Sequence, residues 1–238
     1  MKIVIIGAMQ NEVDYLKQNI PLINKKKVTS LDYEYIVGDY DLDRHIEVII
    51  GVGGVGRVKS ALLIANLNYV FKLDNNDYII NIGLAGGIGS SRLEDLVIGK
   101  GCFYGDVDVR GFASKYRYGQ MSGCPLVFKG DERLIDLLSK SNLNLNYGDI
   151  CTTEAFVTNK DTCDNLIKKF FSDLNVLAFD MESAAYAQSA YAFGNNFLSI
   201  RYISDLIGGS SQDTDYKENE NRSLKKPYKA IMWILENI

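Results

Sequence analysis

Short apolar runs rich in valine and isoleucine alternate along this chain with longer stretches whose apolar positions recur at a helical period. Such runs, bounded by glycine or polar residues, read as strands. Strands are expected at Lys2–Gly7, Tyr33–Val37, Ile46–Gly51, Tyr78–Gly83, Val97–Val109, Tyr147–Thr152, Val176–Asp180 and Phe197–Ser204. Val4–Ile6, Ile46–Ile50 and Tyr78–Ile82 are apolar at nearly every position, which suits a sheet covered on both faces.

Between these runs, Val58, Leu62, Ala65 and Tyr69 recur at spacings of four, three and four, which makes one helical stripe. Asp131–Ser141, Asn159–Phe171 and Glu182–Phe193 have the same character. A last helix is expected from Pro227, a good first-turn residue, with Tyr228, Ile231, Leu235 and Ile238 on one face. The alternation implies an α/β fold: a single three-layer domain over residues 1–238, with helices on both faces of a central sheet. Gly208–Asn221 is the most polar stretch and reads as a mobile surface loop, and Lys25–Lys27 as a solvated one.

Composition narrows the chemistry. Among 238 residues, 30 are acidic and 26 are Lys or Arg, so the net charge is −4. No basic patch accompanies it, and no nucleic-acid partner is expected. The apolar run at Met1–Gly7 is far shorter than a membrane span, and no small-residue cleavage site follows it. No membrane association is expected, and four cysteines without C-x-x-C spacing suit reduced thiols in a cytoplasmic protein. The one histidine, His45, cannot supply a metal cluster, and no nucleophile elbow exists for a serine triad. Acid–base chemistry therefore falls to carboxylates, and neither metal nor cofactor is implied.

Gly51-Val52-Gly53-Gly54-Val55-Gly56 matches G-x-G-x-x-G after a strand and before a helix. A dinucleotide site also wants an acid closing the next strand, yet that strand ends Asn81-Ile82-Gly83. What survives is a backbone able to approach a ligand closely at a helix N-terminus, or simply a tight turn. A second cluster, Gly83-Leu84-Ala85-Gly86-Gly87, also follows a buried strand, so a pocket along one sheet edge is expected.

Seven segments are more specific in combination. They are Ile5–Val13, Asn81–Gly87, Gly105–Val109, Gly119–Pro125, Thr153–Val157, Asp180–Ala184 and Arg201–Asp205. In order and spacing they resemble the 5′-methylthioadenosine/S-adenosylhomocysteine nucleosidases, whose fold is that of the nucleoside phosphorylases: a twisted mixed sheet flanked by helices. The resemblance implies hydrolysis of the N-glycosidic bond of a purine nucleoside. Such chemistry needs an acid at the leaving base, a carboxylate that activates water, and a grip on the ribose.

On the resemblance, Asp205 would protonate the purine at N7, which calls for a raised pKa, and Glu12 would be the general base on water. Glu182 would accept from the ribose hydroxyls, with Met181 and Ala85 beside the ligand. Phe156 would stack on the base, the backbone of Val157 would read its edge, and Arg201 would orient a carboxylate or the water. Tyr216 corresponds to the aromatic residue of a loop that closes over the site, and a homodimer is implied, the neighbouring subunit closing the 5′ pocket. Two positions depart from the pattern: Leu84 stands where a serine usually helps hold the water, and Gly105 where a histidine is common. Two alternatives stay open: a phosphorylase or hydrolase of another purine nucleoside, and a non-catalytic adenine-nucleoside-binding relative.

Overall fold

The computed structural model describes residues 1–220 and 225–238. Among these residues the chain forms β1(Lys2–Gly7), α1(Gln10–Asn19), β2(Ile23–Ser30), β3(Tyr33–Asp41), β4(Ile46–Val52), α2(Arg57–Phe71), β5(Tyr78–Gly87), β6(Leu96–Tyr104) and β7(Phe128–Lys129). There follow α3(Glu132–Ser139), β8(Asn146–Thr152), α4(Lys160–Phe170), β9(Val176–Asp180), α5(Ser183–Phe193), β10(Asn196–Leu206), α6(Gln212–Glu220) and α7(Lys225–Asn237).

The ten strands join in one mixed sheet, ordered β10-β6-β8-β9-β5-β1-β4-β3-β2, with β7 on β6. A further pairing of β10 with β5 closes the β5-β10-β6-β8-β9 part on itself, while β1-β4-β3-β2 extends as an open wing. One edge of β5 serves two partners: β1 pairs with residues 78–81 and β9 with Gly86–Gly87.

The near-continuous apolar strands are covered on both faces, as their pattern predicts. Ile3 and Ile5 of β1 pack toward α1 and α7, with Leu16, Ile231 and Leu235. Val4 and Ile6, the alternate residues, pack toward α2 and α5, with Leu63, Leu67 and Ala184. Helix starts follow their caps: Asp131 accepts from the Leu134 amide and Asn159 from the Thr162 amide, each at 2.9 Å.

Helix α2 forms where its stripe predicts, with that stripe outward (Val58 72% and Tyr69 73% exposed) while Leu63, Ile64 and Leu67 fill the core. Three expectations need correction. The Lys25–Lys27 segment belongs to β2, an edge strand whose lysines suit a solvated rim. The expected strand Val97–Val109 stops at Tyr104, because Asp106 turns off the sheet to pair with Arg57. Gly208–Asn221 contains α6, held by tertiary bonds: the Asn219 amide donates to Ser204 O at 2.8 Å and accepts from the Tyr202 hydroxyl at 3.5 Å. Asn221 lies outside the described residues.

Asn219 is only 5% exposed, so Asn219→Ala strands a buried carbonyl at a cost of about 1–3 kcal/mol. Faster proteolytic cleavage within residues 208–220, with a lower melting temperature, is the expected outcome; an unchanged cleavage rate would mean that α6 is held by other contacts.

Candidate active site

Strand ends converge on one cavity. Its walls come from the turn after β1 (Ala8, Met9, Glu12), from β5 (Leu84, Ala85, Gly86) and from the β9–α5 junction (Asp180, Met181, Glu182). Asp205 of β10, the segment Ala155–Val157, Val55 and Tyr216 complete it. It encloses ≈ 80 Å³. Every sequence-derived candidate lines this cavity except Arg201, which lies behind the wall with no exposed surface. Arg201 can therefore act on a ligand only through its neighbours.

Glu12 sits in the first turn of α1, where its carboxylate folds back on the helix start. Oε2 accepts from the amides of Ala8 (2.7 Å) and Met9 (2.9 Å), and Oε1 accepts from the Leu84 amide at 3.1 Å. Burial raises its pKa, opposed by the Arg201 charge and by those three amides. Gly83 is required beside it: a Cβ there would lie 2.0 Å from Arg201 Nη1 and 2.7 Å from Glu12 Oε1.

Arg201 forms an ion pair with Asp180 at 2.7 Å. Its Nε donates to Ser183 Oγ at 3.0 Å, and Nη2 donates to Asn81 Oδ1. Asn81, Asp180 and Ser183 were not singled out from sequence as site residues. The sequence held a signal for them only as members of the Asn81–Gly87 and Asp180–Ala184 segments; a buried arginine needs a charged partner such as Asp180 nearby.

Glu182 precedes α5, and its Oε1 accepts from the Gly56 amide at 3.0 Å. Gly56 caps α2 at φ 96°, a conformation that favours glycine. The glycine-rich turn thus aims a helix N-terminus at an internal carboxylate. Burial, then repulsion from Asp180, raises Glu182 to about 7.

Asp205 follows a β-bulge: Ile203 pairs with Ala85 and Asp205 with Gly86, so Ser204 is the extra residue that re-aims the chain. Oδ1 accepts from Ser204 Oγ at 2.6 Å and Oδ2 from Gln212 Nε2 at 2.8 Å. Burial raises its pKa, against the pull of those two donors. Gln212 was not foreseen either; it lay in the stretch read as a loop. At the cavity mouth, Tyr216 packs edge-on against half-exposed Phe156, with ring centroids 5.4 Å apart.

The two departures have local consequences. Leu84 puts an apolar side chain beside Glu12, while its amide holds the carboxylate. A Cβ at Gly105 would meet Cys151 Sγ at 2.5 Å, so the thiol occupies the start of any side chain there. Among the described residues no three His, Cys, Asp or Glu side chains are grouped to hold a metal ion, and no helix is long and apolar enough to cross a membrane.

This closed mixed sheet, with carboxylates gathered at its strand ends, places the chain in a known class: it belongs to the phosphorylase superfamily, whose family model matches residues 2–236. A 5′-methylthioadenosine/S-adenosylhomocysteine nucleosidase of Listeria welshimeri is 37% identical to it over the whole of both chains. The S-adenosylhomocysteine nucleosidase of Streptococcus pyogenes, solved with 5-methylthiotubericidin, superposes with a TM-score of 0.88 at 33% identity, covering 100% of this chain and 97% of the other. The S. pneumoniae nucleosidase, solved with the transition-state inhibitor MT-ImmA, gives 0.87 at 32%, covering 100% and 99%. Within the superfamily, the chain belongs to this nucleosidase family.

A folded-state pKa near 7 for Glu182, against 4.5 for a free carboxyl, means that the native state holds the proton more tightly. The stability it contributes is full below about pH 4.5 and is lost as pH rises through about 7. Glu182→Gln stays neutral and keeps an oxygen for Gly56. Thermal unfolding should therefore show the wild type losing stability relative to this variant between about pH 5 and about pH 8; a constant gap would contradict it.

Proposed function

We propose that this chain hydrolyses the N-glycosidic bond of 5′-methylthioadenosine or S-adenosylhomocysteine, releasing adenine and the 5-thio-substituted ribose. The observation that carries this reading is that Glu12 of α1 and Asp205 of β10, far apart in sequence, line one largely apolar cavity. Glu12 takes a proton from water as the water oxygen bonds to C1′. The C1′–N9 bond breaks, its electron pair enters the purine, and Asp205 delivers a proton at N7. The raised pKa of Asp205, caused by burial, suits a group that must carry that proton. Glu182 accepts from the ribose hydroxyls beside Met181 and Ala85, while Phe156 and the Val157 backbone hold the base.

Charge balance favours this transition state. Arg201 pairs directly with Asp180, so once Glu12 and Glu182 are ionised the carboxylates outnumber the one arginine, and the cavity is negative where the ribosyl group turns positive. The same surplus, with Leu84 in place of a polar side chain, opposes entry of a phosphate anion and hence phosphorolysis. The reduced thiols suit the cytoplasm.

Adenine release from 5′-methylthioadenosine should proceed without phosphate; strict dependence on phosphate would make the enzyme a phosphorylase. Asp205→Asn and Glu12→Gln should each lower kcat by about 10²–10⁴-fold, and an unaltered rate in either would remove that residue from its role.

We extend the reading to a homodimer formed through the outward stripe of α2, since exposed Val58, Leu62 and Tyr69 form an apolar face that water does not favour. Sedimentation should give a dimer that Leu62→Glu weakens. A fully active monomer would refute it.

A further inference from the structure

Two residues that line the cavity, Asp205 and Val157, are already bridged by a side chain of the protein. Gln212, the first residue of α6, is 6% exposed. Its Nε2 donates to Asp205 Oδ2 at 2.8 Å and to Val157 O at 3.0 Å, and its Oε1 accepts from the Gly208 amide at 2.9 Å. Asp205 and the Val157 backbone are the two groups that the proposed function sets against the base, and in this structure both accept from the amide. A primary amide nitrogen resembles the exocyclic amine of an aminopurine: both are planar, and both offer two N–H donors.

The space left over points the same way. The cavity of ≈ 80 Å³ is well below the roughly 300 Å³ of ordinary ligand sites. Tyr216, one turn further along α6, meets Phe156 at the mouth. Helix α6 therefore brings both an amide onto Asp205 and Val157 and an aromatic ring over the entrance.

We propose that Gln212 is an internal competitor for the base, its amide standing where the purine's exocyclic amine binds until substrate entry and withdrawal of α6 displace it. The inference rests on the proposed function, because it needs Val157 and Asp205 to be the base-reading pair. While latched, the amide keeps the buried Asp205 carboxylate and the part-buried Val157 carbonyl both paired. Burial favours the neutral form of Asp205, and the Gln212 donor favours the ionised one. Withdrawal of the amide thus readies Asp205 to hold the proton it transfers.

A competitor that must leave before any base binds lowers the affinity for all bases by one common factor, the fraction of protein unlatched. Calorimetric titration with adenine and with unsubstituted purine, which lacks the amine, distinguishes this from a direct contact. Gln212→Met, which keeps the length and helix propensity but loses both donors, should bind the two bases tighter by the same factor, about tenfold. Gln212→Ala should agree with it. Weaker or unchanged binding in the Met variant, or a change confined to adenine, would overturn the latch. If the wild type still releases adenine from 5′-methylthioadenosine, that failure is the latch's alone. A wild type that binds neither base would overturn both this inference and the proposed function.

Discussion

A guanidinium with no surface in water must find its counter-charge inside the protein, and Arg201 finds it in Asp180, the last residue of β9. The hydrogen bonds around that pair reach β5 through Asn81 and α5 through Ser183, so four elements are referred to one charged group. Removing one partner of such a pair leaves an uncompensated buried charge, commonly a loss of about 3–5 kcal/mol. The cavity wall inherits this rigidity. It also inherits the electrostatics: with Arg201 answered by Asp180, Glu12 and Glu182 remain in surplus, and burial keeps both above the ordinary carboxylate range.

The carboxylates are then held one by one with backbone amides. Glu12 takes three of them and Glu182 takes the N-terminus of α2. Amides position an anion without neutralising it, so each group can keep its charge while held in place. The glycine-rich turn before α2 is explained by the same need. Its resemblance to a dinucleotide motif is superficial in sequence but sound in physics, since a helix N-terminus does meet an anion there. The anion is internal.

Much of the architecture was legible because burial on both faces leaves a continuous apolar signature, which β1, β4 and β5 carry plainly. The site candidates were legible from short segments quoted together, and the cavity gathers all of them but Arg201. Elements fixed by tertiary contacts were hidden. Helix α6 has no apolar face to betray it, because Asn219 and Gln212 anchor it by polar bonds to β10 and its surroundings. Strand β2 is solvated, so alternation is blurred by its lysines. The outward stripe of α2 located the helix without orienting it: the helix has two apolar faces, and periodicity cannot say which one meets the core.

The departures at Leu84 and Gly105 bear differently on catalysis. Gly105 is matched by its neighbour, since the Cys151 thiol fills the space that a side chain would enter. The glycine is buried and does not line the cavity. Leu84 acts at the centre. Its amide still holds Glu12, so that carboxylate keeps its place, but its side chain offers no hydroxyl. An apolar neighbour also deepens the desolvation that raises the Glu12 pKa. A higher pKa makes the carboxylate a stronger base once ionised while shrinking the ionised fraction near neutral pH. Whether Leu84 costs rate thus depends on how far the Arg201 charge and the three amides offset that burial, and that balance is set in the wall rather than at residue 84.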